Sequence, residues 1–176
     1  MYNIPMELNF CRRCGKALIH VSDNVFKCTD GHVIFRNSSP AVVLILINER
    51  KEPLVAVREV EPRKGKLHVA AGFCTDVETI EETLRRELLE ELGLSPDDYS
   101  PPQYLLSHVE AYEYKGEVIP VLCATFWATL RSTAKLVAGD DLSQPSFKPY
   151  ADLDFSLFQF ETVVLALKKL HQLGTI

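Results

Sequence analysis

The sequence predicts an α/β domain with a small metal-stapled module in front of it, and three observations carry that prediction. The run Ala-Val-Val-Leu-Ile-Leu-Ile at 41–47 is apolar throughout and rich in β-branched residues, the pattern of a strand buried on both faces. Two later stretches, around 80–92 and from Phe160 to Leu173, place apolar residues at helical spacing. Residues 1–39 are different in kind: short, rich in Cys, His, Asn, Ser and Asp, and punctuated by turn signals at Cys14-Gly15, Asp30-Gly31 and Ser39-Pro40. The expected organisation is therefore a module at 1–39 and a domain at 40–176.

The elements follow in order. After the strand at 41–47 comes the polar turn Asn-Glu-Arg-Lys-Glu and a second strand, Pro-Leu-Val-Ala-Val-Arg-Glu at 53–59. Thr79 with Glu82 forms a capping-box pair and Gly93 supplies a stop, which bounds a helix at 80–92. Two β-rich runs, 104–116 and 117–130, meet at a Lys115-Gly116 turn and read as a hairpin. The polar stretch 138–154 reads as a loop. In the last helix Phe160, Val163, Val164, Leu167 and Leu170 share a face, as core residues do.

With 176 residues the chain can bury a proper core, and its formal charge of -5 argues against a partner held mainly by phosphate-backbone contacts. A nucleotide held through bridging cations stays compatible with that charge. The longest purely apolar run is too short to span a bilayer, and the first ten residues lack a basic segment followed by an apolar one. The expectation is a cytoplasmic protein with no membrane partner. Of the five cysteines, three fall in the N-terminal module, while Cys74 and Cys123 read as small packed apolar residues.

Residues 72–94 gather seven of the 24 carboxylates. Like charges on one helix repel, so a compensating cation is expected nearby. Helical winding puts Glu87, Glu90 and Glu91 within one arc beside Leu84 and Leu88. Arg86 stands four residues from both Glu82 and Glu90, where it can bridge carboxylates. Hard oxygen ligands converging from one helix suit Mg²⁺ or Mn²⁺ completed by substrate phosphates. The alternative is a solvated charged face.

Spacing decides between them. The stretch fits Gly-x5-Glu-x7-Arg-Glu-apolar-x-Glu-Glu-x-Gly-apolar through Gly72, Glu78, Arg86, Glu87, Leu88, Glu90, Glu91, Gly93 and Leu94. It resembles the signature box of the Nudix hydrolase superfamily, and the resemblance extends over about residues 40–176. It implies an α/β/α sandwich with a mixed sheet, and a metal-dependent pyrophosphohydrolase acting on a nucleoside diphosphate derivative. Carried onto this chain, Glu87, Glu90 and Glu91 would bind the metals, Glu78 and Arg86 would support them, and Glu90 or Glu91 would serve as general base.

Cys11-Arg-Arg-Cys14 and Cys28-Thr-Asp-Gly-His32 supply three thiolates and an imidazole, enough to close a tetrahedral structural Zn²⁺ site, with His20 as a competing fourth ligand. A zinc ribbon before a Nudix domain resembles the NADH pyrophosphatase branch, which acts on NAD(H) and on NAD-capped RNA. That resemblance implies a metal contact from the Ala71 carbonyl, a metal-binding carboxylate at Asp141, substrate-facing aromatics at Phe35 and Phe147, and a homodimer. The branch's Ser-Gln-Pro-Trp-Pro-Phe-Pro signature is absent: at its place stands Ser107-His-Val-Glu-Ala-Tyr-Glu-Tyr114. Tyr112 and Tyr114 there either stack on a base or pack across strands. The substrate expectation is accordingly NAD(H) or ADP-ribose, with capped RNA, a nucleotide sugar, or noncatalytic nucleotide sensing as alternatives.

Overall fold

The computed structural model describes residues 8–139, 141–158 and 160–176, so positions 1–7 of the expected module lie outside the described residues. The chain groups into two compact units, Met1–Ser38 with Ala111–Pro120, and Ser39–Glu110 with Val121–Ile176.

The first unit carries a three-stranded antiparallel sheet: β1 (Leu18–Ser22), β2 (Val25–Cys28) and β3 (Val33–Phe35), in that order. Its core is small. Cys11, Phe26, Cys28 and Ile34 are buried, with Leu8, Cys14 and Leu18 packed against them. Among the described residues two of these four are thiols, so their apolar burial alone gives this sheet little to fold around.

The second unit has its own core and two sheets. β4 (Ser39–Ile47) lies between β7 (Ala70–Phe73), antiparallel, and β9 (Glu117–Thr129), parallel, and β8 (Gln103–Tyr114) completes the order β7-β4-β9-β8. Every residue of β4 from Ala41 to Ile47 is buried, as expected for a strand covered on both faces. The second sheet has the order β10-β5-β6, with β5 (Leu54–Arg58), β6 (Leu67–His68) and β10 (Leu142–Phe147). Helix α1 (Ile80–Leu92) packs on β4 and β7 through buried Leu84, Leu88 and Leu92. Helix α2 (Glu161–Gln172) buries Val163, Ala166, Leu167 and Leu170. Parallel and antiparallel pairs in one sheet, flanked by helices, give the mixed α/β fold class that the sequence led us to expect.

The local signals for α1 hold in detail. Glu82 N–H donates to Thr79 Oγ1 at 3.2 Å, Thr79 N–H donates to the Glu82 carboxylate at 2.8 Å, and Gly93 takes the left-handed φ of 67° that ends the helix.

β10 corrects the expectation of a loop at 138–154. It pairs with β5 through Leu142↔Arg58 and Phe147↔Leu54, but a bulge interrupts the register between Ser143 and Ser146, and Gln144 has φ 49°. A strand that carries Pro145 and a left-handed residue lacks the alternation that marks a strand in sequence.

Helix α2 lacks a capping side chain of its own at Phe160. Glu110, buried on β8, replaces it: its carboxylate accepts from both Thr162 N–H and Thr162 Oγ1–H at 3.0 Å. Glu110→Ala should therefore cost about 2 kcal/mol by stranding a buried amide at a helix start. Chemical denaturation checks this, and an unchanged midpoint would show that the cap is redundant.

Candidate active site

β7 and α1 lie side by side, and their packing creates the carboxylate cluster. Ala71 N–H donates to Glu91 Oε2 at 3.0 Å, which ties the strand to the helix's last full turn. Gly72 is required for the approach of Glu87: a Cβ there would lie 1.8 Å from Glu87 Oε1. Gly72 is not a left-handed residue, so the need for glycine is purely one of space.

Arg86 organises the helix side of the cluster. Its Nε donates to Glu78 Oε1 at 2.7 Å and its Nη2 to Glu78 Oε2 at 3.1 Å, a bidentate pair. Nη1 reaches Glu87 Oε1 at 2.6 Å and Glu90 Oε2 at 3.0 Å, and Nη2 also donates to the Phe73 carbonyl at 3.0 Å. The five donors of the guanidinium are thus all engaged. Hydrogen bonding to Arg86 holds the Glu78 carboxyl down at about 2, well below the ordinary carboxylate range. Glu82, offered by spacing as a second partner of Arg86, is instead consumed by the capping box at Thr79. Helical spacing alone does not reveal that competition.

Glu91 is the unusual member. It is 2% exposed and accepts a hydrogen bond from the Ala71 amide. Burial pushes its pKa up to about 9, and the negative charges of Glu87 and Asp141 push in the same direction. Ionised carboxylates are rarely buried without a paired cation, so this donor set fits a divalent ion: clustered hard oxygens, one of them desolvated.

Asp141 approaches this cluster from the strand side. Its Oδ2 lies 3.9 Å from Nη1 of Arg58 at the end of β5, and its carbonyl accepts from Glu59 N–H at 2.8 Å. Sequence reasoning missed Arg58, whose only signal was a cation closing an apolar strand.

The other expected residues fall elsewhere. Phe147 is in register with Leu54 across β5 and β10 and, half-buried, packs against the hydrophobic core. Tyr112, Tyr114 and Phe35 belong to the first unit, where Phe35 is 58% exposed and Lys115 Nζ lies 5.2 Å from the Tyr114 ring centroid.

The first unit also gathers Cys11, Cys14, Cys28 and His32, whose ligand atoms all lie within 4.8 Å of one another. Cys14 Sγ and Cys28 Sγ are 3.7 Å apart, and His32 Nδ1 is 3.6 Å from Sγ of both Cys11 and Cys28. A tetrahedral Zn²⁺ with Zn–S of about 2.3 Å and Zn–N of about 2.0–2.1 Å would have edges of about 3.8 Å and about 3.6 Å. These three separations are compatible with a zinc site. His20 stands apart, bonded to the Asp23 carbonyl at 2.8 Å.

Comparison with known proteins agrees with this geometry. The family model described as the NUDIX domain matches residues 37–167. The chain belongs to the Nudix family. Human mitochondrial NAD(P)H pyrophosphatase NUDT13 is 34% identical over 86 residues, 48% of this chain and 24% of that protein. The mouse protein of the same name is 32% identical over 98 residues, 54% of this chain and 28% of that one. The matches thus span only about a quarter of these relatives. A Nudix hydrolase structure from Nitrosomonas europaea superposes with a TM-score of 0.63 at 19% identity, covering 93% of this chain and 88% of that one. The Nudix domain of Shewanella oneidensis NrtR, solved in complex with ADP ribose, gives 0.62 at 17% identity, with coverage of 78% and 89%. At such identities the likeness extends to the fold.

The site makes one steric prediction. Gly72→Ala should leave the fold intact, because the displaced group is the mobile end of a side chain, yet swing Glu87 out of the cluster. We expect about a 100-fold loss of turnover with weakened Mn²⁺ binding, checked by kinetics and metal titration.

Proposed function

We propose that the chain hydrolyses the pyrophosphate bond of a nucleoside diphosphate derivative, of NAD(H) or ADP-ribose type, with Mg²⁺ or Mn²⁺ as cofactor. The observation that carries this reading is the buried Glu91 carboxylate set beside Glu87, with Arg86 fixing Glu78, Glu87 and Glu90 around it. Names of similar proteins support the substrate class: an NAD(P)H pyrophosphatase in sequence, and a domain solved with ADP ribose in fold.

Glu87, Glu90 and Glu91 would hold the ions, with Asp141 and the Ala71 carbonyl completing the set. When bound, such ions supply positive charge to the phosphates and assist ionisation of the attacking water. The chain's own residues do the remaining work. Arg86 and Glu78 fix the loop and helix, which keeps the ligand oxygens from reorienting during turnover. Glu90 or Glu91 takes the proton of the water that adds to one phosphorus as the bridging P–O bond breaks, leaving two monophosphates.

Further parts of the reading rest on the same resemblance. Zn²⁺ on Cys11, Cys14, Cys28 and His32 would be structural, Phe35 and Phe147 would face the substrate, and the protein would act as a homodimer; Tyr112 and Tyr114, read from their own strand, would either stack on a base or pack across strands. Among the described residues no helix is long and apolar enough to cross a membrane. We propose the cytosol as its compartment, whereas the human relative carries a mitochondrial designation. Fractionation separates these two.

The test is a panel: purified protein with Mn²⁺ and separate pools of NADH, NAD⁺, ADP-ribose, ADP-sugars, NAD-capped RNA and NTPs, with products resolved by mass. Two nucleoside monophosphates from a dinucleotide, or AMP and ribose 5-phosphate from ADP-ribose, support the proposal. Cleavage of another pool alone reassigns the substrate, and intact pools throughout point to a nucleotide sensor.

A further inference from the structure

The cysteine cluster of the first unit is built unevenly. Cys11 and Cys28 are 2% and 3% exposed, whereas Cys14 is only half-buried. It sits on a knuckle where Gly15 N–H donates to the Cys11 carbonyl at 2.8 Å and Cys11 N–H donates to the Lys16 carbonyl at 2.8 Å. Its Sγ stands 3.7 Å from that of Cys28, which ends β2. A reachable thiol and a buried one, nearly in contact, are what a two-step oxidation needs. The first is open to a small oxidant, and the second is at hand to trap the product.

Little else holds this unit together. Besides the cluster, its buried apolar residues among the described ones are Phe26 and Ile34, with Leu8 and Leu18 packed beside them. The tip of the β8–β9 hairpin, Ala111–Pro120, groups with the same unit, so the order of Tyr112 and Tyr114 depends on it. The core around β4 and α1 has its own buried residues. A change confined to the thiols therefore acts on the ribbon and the hairpin tip, and leaves the fold that carries the carboxylates in place.

We propose that Cys14 and Cys28 form a reversible redox site, which hydrogen peroxide converts to a disulfide with loss of the zinc-held sheet. The Cys14 thiolate attacks one peroxide oxygen: the S–O bond forms, the O–O bond breaks, and the leaving hydroxide takes up a proton as water. The Cys28 thiolate then attacks the Cys14 sulfur: the S–S bond forms, the S–O bond breaks, and a second hydroxide leaves and is protonated. Two thiolates have lost two electrons and the peroxide has gained them. Only Cys11 and His32 then remain as donors, too few to hold a structural Zn²⁺. A dithiol reductant regenerates both thiolates, and the full donor set is restored. In a reducing compartment such a bond is transient, which suits a sensor. The inference rests on the zinc reading of the cluster and is independent of the hydrolase reading.

The test uses the whole chain loaded with zinc. Hydrogen peroxide is added in small molar excess, released Zn²⁺ is followed with a chromogenic chelator, thiols are counted after denaturation, and the protein is digested with trypsin without reduction. Arg12, Arg13, Lys16, Lys27 and Arg36 place Cys11, Cys14 and Cys28 on separate tryptic peptides, so any link is assigned directly. We expect zinc release to be faster with peroxide by about 10-fold or more. Thiols should fall from five to three, with Cys14 and Cys28 in one linked peptide. Amide signals of β1–β3 and of 111–120 should be lost while those of the β4 and α1 core persist, and dithiothreitol with Zn²⁺ should restore them. Cys74→Ser, which removes the half-buried thiol of the other unit, should release zinc and form the link as wild type does. A link between Cys11 and Cys14, a sulfinic acid at Cys14 with no link, release that Cys74→Ser prevents, or a linked protein that keeps its zinc and its sheet overturns the proposal. So does a reduced protein that binds no zinc. If wild type cleaves no nucleotide yet forms the link and releases zinc, the redox site stands and the hydrolase reading falls.

Discussion

Glu91→Gln is expected to abolish at least 99% of turnover, and the stability gained on adding Mn²⁺, while leaving the metal-free protein at least as stable as wild type. The reason lies in the burial of Glu91 beside Glu87 and Asp141, which raises its pKa from 4.5 to about 9. A carboxyl whose folded pKa is raised contributes its full stability below the unfolded value, and that contribution is lost as pH climbs through the folded one. Stability of the metal-free wild type should therefore fall between about pH 4.5 and about pH 9, by on the order of 3 kcal/mol at pH 7. A glutamine keeps an oxygen for the Ala71 amide but has no charge to desolvate, so its stability should be flat across that range. In wild type, Mn²⁺ binding near neutral pH should expel the Glu91 proton, measurable with a pH indicator in weak buffer. Thermal melts at pH 5.5 and 8.5, with and without Mn²⁺, read the whole pattern. Equal pH dependence in the two proteins would remove Glu91 from the site.

The second large effect concerns the cysteine cluster. Cys14→Ser should release zinc and unfold the β1–β3 sheet, since among the described residues that unit buries only Cys11, Phe26, Cys28 and Ile34. Structural zinc contributes on the order of 10 kcal/mol to folding in small domains of this kind, far more than such a core supplies. Amide signals of β1–β3 should collapse in the variant and in chelated wild type. The core centred on β4 and α1, with its own buried residues, should keep its signals. A purified protein that contains no zinc and still shows an ordered β1–β3 sheet would refute the metal reading of this cluster.

How much of this was legible beforehand depends on whether each feature is local. The bounds of α1 follow from Thr79, Glu82 and Gly93, and the burial of β4 follows from its unbroken apolar run, because both signals lie within a few residues of what they specify. The family box placed Glu78, Arg86, Glu87, Glu90 and Glu91 on one loop and helix for the same reason. β10 was illegible because its pairing depends on a partner strand more than 80 residues away, and its bulge breaks the alternation that would have announced it. Arg58 was missed for a related reason: nothing in Val-Arg-Glu marks it. Only folding brings Arg58 to Asp141. Phe147, which the alignment offered as an aromatic contact, is also packed against the hydrophobic core, a role its local sequence does not announce.

In the proposed function this carboxylate cluster drives metal-dependent cleavage of a pyrophosphate bond. The measurement that tests it most directly is incubation of wild type and Glu91→Gln with NADH and Mn²⁺, side by side, with products resolved by mass. Wild type should yield AMP and NMNH, the variant none above background, and wild type without a divalent ion none. Equal cleavage by both proteins, or cleavage that persists without divalent metal, would contradict it.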